Sequence, residues 1–352
     1  MNRLIPTLLI IVFCTKIAFC TTLNIYAPAY KNQPITWKKK IDYITNKNEI
    51  IGHEIIDSSG YVKLYFDFTQ TELTEISIGR SHGMLYVDTS NYQYNLYFPN
   101  DTIIDKASLK KSEIQIIFLN LEKDNINSLI LDFNNQLDFF LYGDTNKIIR
   151  MAKHSNEFQD SLNSFKIFLS DRYSSRKIKY LHNYIRYEVA ILEQLAHQNK
   201  GDYFKAYLYE NYLKRNNVNY QNDAYMQFFN LFFRDVFKVG GIDLNDQIKF
   251  AINNYNELEK LTEIIQSCKY FSSPQLSELA IIKGLFDAYK SPSYDPENIL
   301  SFLRKITIES KWQQHKTLAN NCHNELTKFS TGSPCPSLIV INQKKEKIKI
   351  HE

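Results

Sequence analysis

Along residues 21–120 apolar and polar side chains alternate in short runs. The clearest is Tyr61-Val62-Lys63-Leu64-Tyr65-Phe66-Asp67-Phe68, whose period of two sends successive side chains to opposite faces of an extended chain. Leu23–Tyr26, Trp37–Tyr43, Ile50–Ile56, Glu75–Gly79, Met84–Val87, Tyr92–Phe98 and Ile114–Leu119 read as further strands. Short strands at near-regular spacing predict a small antiparallel β-sandwich over 21–122. Asp57-Ser58-Ser59-Gly60 lies between two of the runs and predicts a hairpin turn.

From 123 to 328 the period lengthens. Tyr180, Tyr184, Tyr187, Ile191, Leu192 and Leu195 fall on one helical stripe. So do Phe229, Leu231, Phe232, Val236 and Phe237, and again Leu276, Leu279, Ile282, Leu285 and Phe286. Breaks at Gly201-Asp202, Gly240-Gly241, Ser272-Ser273-Pro274 and Ser291-Pro292 divide the stretch, so it predicts an all-α domain of six to eight helices. Aromatic stripes at this spacing read as core.

The pattern changes again over 329–352. Gly332-Ser333-Pro334-Cys335-Pro336 leads into apolar Leu338–Ile341, polar Asn342–Glu346 and alternating Lys347-Ile348-Lys349-Ile350. Two short strands bury little alone. Such a hairpin is expected to rest its apolar positions, Leu338, Val340, Ile348 and Ile350, against a larger core.

Composition sharpens this picture at few points. The chain has 352 residues, 44% hydrophobic, with 24 Tyr and 23 Phe, which supports folded cores rather than linkers. Its formal charge of +4 leaves no electrostatic footprint for nucleic acid. Basic runs such as Lys38-Lys39-Lys40 read as solvated faces. At the start, basic Met1-Asn2-Arg3, apolar Leu4–Phe13 and Ala18-Phe19-Cys20 form a secretory signal over 1–20. Phe19 departs from a lipobox, so soluble export to the periplasm or cell envelope is favoured over lipidation at Cys20. No later segment is long and apolar enough to predict a transmembrane helix.

Candidate chemistry is sparse. There is no Gly-rich phosphate loop, HExxH, GxSxG or CxxC. Beyond the signal, Cys268, Cys322 and Cys335 have no metal-ligand spacing. Cys322-His323 are neighbours that a helix directs about 100° apart. No residue is assigned a catalytic, cofactor-binding or metal-binding role, and no cofactor is expected.

The order of these regions carries a resemblance. "YAPAYKNQPITWKKKIDYITNKNEIIGHEIIDSSGYVKLYFDF" and "GMLYVDTSNYQYNLYFP" lie in the β stretch, and "HNYIRYEVAILEQLA" and "VNYQNDAYMQFFNLFFRDVF" in the helical one. "LSELAIIKGLFDAYKSPSYDPENILSFLRKI" and "FSTGSPCPSLIVINQKKEKIKI" follow. Together they resemble the exported thioredoxin-like thiol-disulfide oxidoreductases of the TlpA type from Bacteroidetes. The resemblance implies an α+β multidomain chain with a carboxypeptidase-regulatory-like β-domain, a helical domain and an incomplete thioredoxin-like opening hairpin. Gly332-Ser333-Pro334-Cys335-Pro336 resembles that family's Gly-x-x-Ala-Pro, with Cys335 in place of Ala. The family's CxxC would fall beyond Glu352, so the chain itself is expected to lack thiol-disulfide exchange, which needs a low-pKa attacking thiolate and a resolving thiol. Disulfide-bearing envelope client proteins are the implied partners. A non-enzymatic envelope binding or scaffolding protein is the alternative reading.

Overall fold

The computed structural model describes residues 20–100, 112–143, 156–196, 201–214, 217–238, 241–271, 273–330, 339–341 and 347–349. The segment before Cys20, read above as an export signal, and Cys335 lie outside them. The chain divides into two compact units, Met1–Trp37 with Ile50–Asn125, and Lys38–Glu49 with Ile126–Glu352.

The β-unit is built from β1 (Cys20–Tyr26), β2 (Pro34–Lys40), β3 (Asn48–Ile55), β4 (Tyr61–Asp67), β5 (Glu72–Ile78), β6 (Ser81–Val87), β7 (Gln93–Tyr97), β8 (Ser112–Glu113) and β9 (Ile117–Phe118). They form two sheets, ordered β4-β1-β7-β9 and β3-β2-β5-β6-β8. Alternation decides which face is buried. Leu23 and Ile25 of β1, Val62 and Leu64 of β4, Trp37 of β2 and Ile76 of β5 join one apolar cluster fed by both sheets.

Three sequence expectations change here. Both sheets are mixed rather than antiparallel, because β1 pairs with β7, and β6 with β8, in parallel. Asp57-Ser58-Ser59-Gly60 does form a tight turn. Asp57 Oδ1 accepts from the Ser59 and Tyr61 amides, both at 2.8 Å. Yet β3 and β4 belong to different sheets, so the turn is a crossing rather than a hairpin. Gly60 there has φ +94°, and a Cβ would lie 2.8 Å from Pro28 Cα, so glycine is required twice over. The strand read as Trp37–Tyr43 instead ends at Lys40. Buried Asp42 follows, accepting from the Ile44 and Thr45 amides at 2.7 and 3.2 Å, and this Asx turn closes off strand pairing. β5 and β6 do form a tight hairpin, joined through Gly79-Arg80 with Ile78 opposite Ser81.

The helical unit contains α1 (Ile126–Tyr142), α2 (Asn156–Tyr173), α3 (Lys179–Ala196), α4 (Gly201–Leu208), α5 (Asp223–Phe232), α6 (Ile242–Phe250), α7 (Leu258–Gln266), α8 (Pro274–Ala288), α9 (Pro296–Glu309) and α10 (Gln313–Thr327). Five-residue π turns, Tyr209–Leu213 and Ala251–Tyr255, extend α4 and α6. Caps fix the starts. Asn222 accepts from the Tyr225 amide, and Asp295 from the Glu297 and Asn298 amides, which satisfies otherwise orphaned donors. Tyr184, Tyr187, Phe229, Phe232, Leu276, Leu279, Ile282 and Leu285 are buried, whereas Leu195 is exposed. Within 339–349, β10 (Ile339–Ile341) and β11 (Lys347–Lys349) pair antiparallel with Val340 opposite Ile348. The architecture is α+β: a β region of two mixed sheets followed by a region of about ten helices.

Candidate functional site

Two helical stripes of the same spacing face each other across a cleft of about 300 Å³. α2 supplies Lys166, Leu169, Ser170 and Tyr173, and α3 supplies His182, Ile185, Arg186 and Val189. Each set runs i, i+3, i+4, i+7, the positions one side of a helix presents. The π turn after α4 adds Tyr212, and π turns often occur where a helix is shaped for a site.

Charge in the cleft is arranged unevenly. Glu193, one turn beyond Val189 on α3, is only 1% exposed. It accepts from Lys166 Nζ and, at 3.0 Å, from the Tyr212 hydroxyl. A buried carboxylate persists only when it is paired and hydrogen-bonded in this way. Burial, then the Glu193 charge, pushes the Tyr212 phenol well above its ordinary pKa, so Tyr212 stays a donor. The Arg186 guanidinium lies 5.6 Å from the Tyr212 ring centre and donates from Nη2 to the Asn211 carbonyl. His182 donates from Nε2 to the Arg176 carbonyl.

A second cluster is buried between α8 and α10. His315 is 0% exposed, with Nδ1 2.7 Å from Glu278 Oε1 and Nε2 2.6 Å from the Tyr220 hydroxyl. A carboxylate only accepts, so Nδ1 donates to Glu278, and in the tautomer that carries its proton there Nε2 accepts from the Tyr220 hydroxyl. The Tyr220 oxygen accepts from Gln275 Nε2 at 3.2 Å, and the Ser310 hydroxyl donates to the same Glu278 oxygen. Carboxylate, imidazole and phenol stand in line as in a proton relay, but Tyr220 spends its proton on His315, and its phenol is held above the ordinary range by burial. The arrangement fits a structural tie. No sequence signal marks it, since Tyr220 and His315 are 95 positions apart.

Elsewhere on α3, burial lifts the Glu188 carboxyl to about 7, and the Asp223 carboxylate adds to the push. Asp223, at the first position of α5, takes a hydrogen bond of 2.9 Å from the Tyr180 hydroxyl.

In the β-unit, the outward face of β4-β1-β7 is aromatic. Register puts Tyr61, Tyr26 and Tyr97 in one row, Lys63, Asn24 and Asn95 in the next, and Tyr65, Thr22 and Gln93 in a third. Ring centres are 4.5 Å apart for Tyr26 and Tyr61 and 5.9 Å for Tyr26 and Tyr97. Tyr61 and Tyr65 are 56% and 57% exposed.

Among the described residues the cysteines form no disulfide. Cys20, Cys268 and Cys322 are free. Burial, with Asp42 and Asp287 as further causes, pushes the Cys322 thiol well above its ordinary pKa, so it is a poor nucleophile. His323 turns away from it and takes a 2.9 Å hydrogen bond from Arg304. Among the described residues no group of three or more His, Cys, Asp or Glu could hold a metal ion, and no helix is long and apolar enough to cross a membrane. No protein-family model matches the chain, and no curated protein matches it.

Proposed function

We propose that this chain is a non-catalytic binding region of an exported thioredoxin-like protein of the TlpA type. In this reading it holds envelope client proteins for a thiol-disulfide exchange performed by a separate CxxC domain. The tyrosine face of β4-β1-β7 carries the proposal. Tyrosines give broad amphipathic contact at low entropic cost, and Asn24, Asn95 and Gln93 give adaptable hydrogen bonds. Lys63 and Asp67 are the charges those strands place on that side, so the face makes few demands on a client's charge pattern. The order of β region, helices and the β10–β11 pair, together with the segments quoted above, supports the family part of the reading.

Both exposed rings can be removed without touching the core. Tyr61→Ser with Tyr65→Ser is expected to weaken binding of a reduced, alkylated and fluorescently labelled model polypeptide at least tenfold, measured by anisotropy. Equal binding by wild type and double variant would refute the client-binding role. Dithiothreitol-driven insulin reduction by the purified chain is expected to stay at background. Turnover lost on Cys335→Ser would refute the non-catalytic part. A non-enzymatic envelope scaffold would use the same tyrosine face, and the intact mass of the protein captured from the envelope separates it from a longer redox protein.

A further inference from the structure

The α2–α3 cleft is built for a ligand of a different kind. Its floor, Leu169, Ile185 and Val189, is aliphatic. Its volume of about 300 Å³ is at the small end of sites for organic molecules. None of the residues lining it is acidic, and the carboxylates bonded to lining residues are already paired, Glu193 with Lys166 and Tyr212, and Asp132 with Arg172 and Tyr173. Arg186 is then the cation left over. Among the described residues it forms no ion pair. Its hydrogen bond to the Asn211 carbonyl uses one donor of a five-donor fork, and the Tyr212 ring supports the plane from one side.

We propose that this cleft binds a small amphiphilic carboxylate, its head on Arg186 and its hydrocarbon body on Leu169, Ile185 and Val189. A planar, bidentate acceptor matches the guanidinium fork. A cationic ligand is disfavoured by the Arg186 charge. A dianionic head would need a second uncompensated cation, and Lys166 is neutralised. A neutral alkane or alcohol leaves Arg186 unmatched beside apolar surface. This inference rests on the helical unit alone and is independent of the client-binding face.

Sodium decanoate, kept below its micelle threshold, is the probe, titrated calorimetrically into the purified full chain. Acetate tests the head without the tail, and decanol the tail without the head. The expected result is saturable one-site binding of decanoate, at least tenfold weaker for decanol and acetate. Arg186 is exposed, so Arg186→Gln should keep the wild-type melting temperature while losing at least tenfold in decanoate affinity. The carboxyl ¹³C shift of labelled decanoate gives a second readout, expected to move on wild type and not on Arg186→Gln. Ile185→Glu should abolish decanoate binding by placing a like charge on the floor. The proposal is overturned if decanoate shows no saturable binding, if decanol binds as tightly, or if Arg186→Gln binds decanoate like wild type.

Discussion

Glu188 makes the helical unit's stability depend on pH in a way one substitution can isolate. Burial against α5 and the neighbouring Asp223 hold its carboxyl at about 7, against 4.5 for the unperturbed group. Asp223, whose charge adds to that shift, occupies the first position of α5 and accepts from Tyr180. The positive end of the helix dipole favours its charge. Since the folded pKa is raised, the native state keeps a proton that the unfolded chain releases between these two values. Stability from this group is therefore present below 4.5, declines as pH climbs, and the loss is complete above 7. A gap of this size corresponds to about 3 kcal/mol at most, at about 1.4 kcal/mol per pH unit. Glu188→Gln retains the neutral shape and removes the charge. Urea melts followed by helical circular dichroism, chosen because urea does not screen charge, should show the variant gaining on wild type by about 2 kcal/mol between pH 5 and pH 8.5. A difference that stays flat with pH, or a variant less stable than wild type at pH 8.5, would show that Glu188 is not held protonated by its surroundings.

Two further outcomes test the packing. Tyr220→Phe deletes the hydroxyl that serves His315 Nε2, and leaving that buried acceptor empty should cost about 1–3 kcal/mol in urea melts; no loss would mean the relay is not a tie. Gly284→Ala on α8 brings a Cβ to 2.4 Å from Val236 Cγ1 and 2.6 Å from Phe237 Cε1, so it should destabilise by about 1–3 kcal/mol. The opposite sign, a gain of about 1 kcal/mol as at an open helix position, would refute this contact.

Features that depend on near neighbours along the chain are legible in the order of residues. Period-two runs announce Tyr61–Asp67 and its companions, and stripes at three- and four-residue spacing announce α3, α5 and α8. Ser273-Pro274 marks a helix start because a cap acts on amides two or three positions away. Tertiary structure decided everything that depends on which distant element arrives alongside. The turn at Asp57–Gly60 is written locally, but pairing sends β3 to β2 and β4 to β1, and no spacing rule encodes that choice. Lys38–Glu49 groups with the helices through contacts such as the Asn230 amide on the Tyr43 carbonyl and Lys47 on Asn321. The candidate sites are non-local in the same way. Tyr26, Tyr61 and Tyr97 become a row only when β4, β1 and β7 align, and Glu278, His315 and Tyr220 meet only when α8 and α10 pack. Arg186 looks like one more surface arginine until Lys166 from another helix occupies Glu193 and leaves it the uncompensated charge beside an apolar floor. Chain pattern sets which faces must be buried; the partner that buries each face, and the polar groups stranded or matched as a result, follow from packing among residues far apart in sequence.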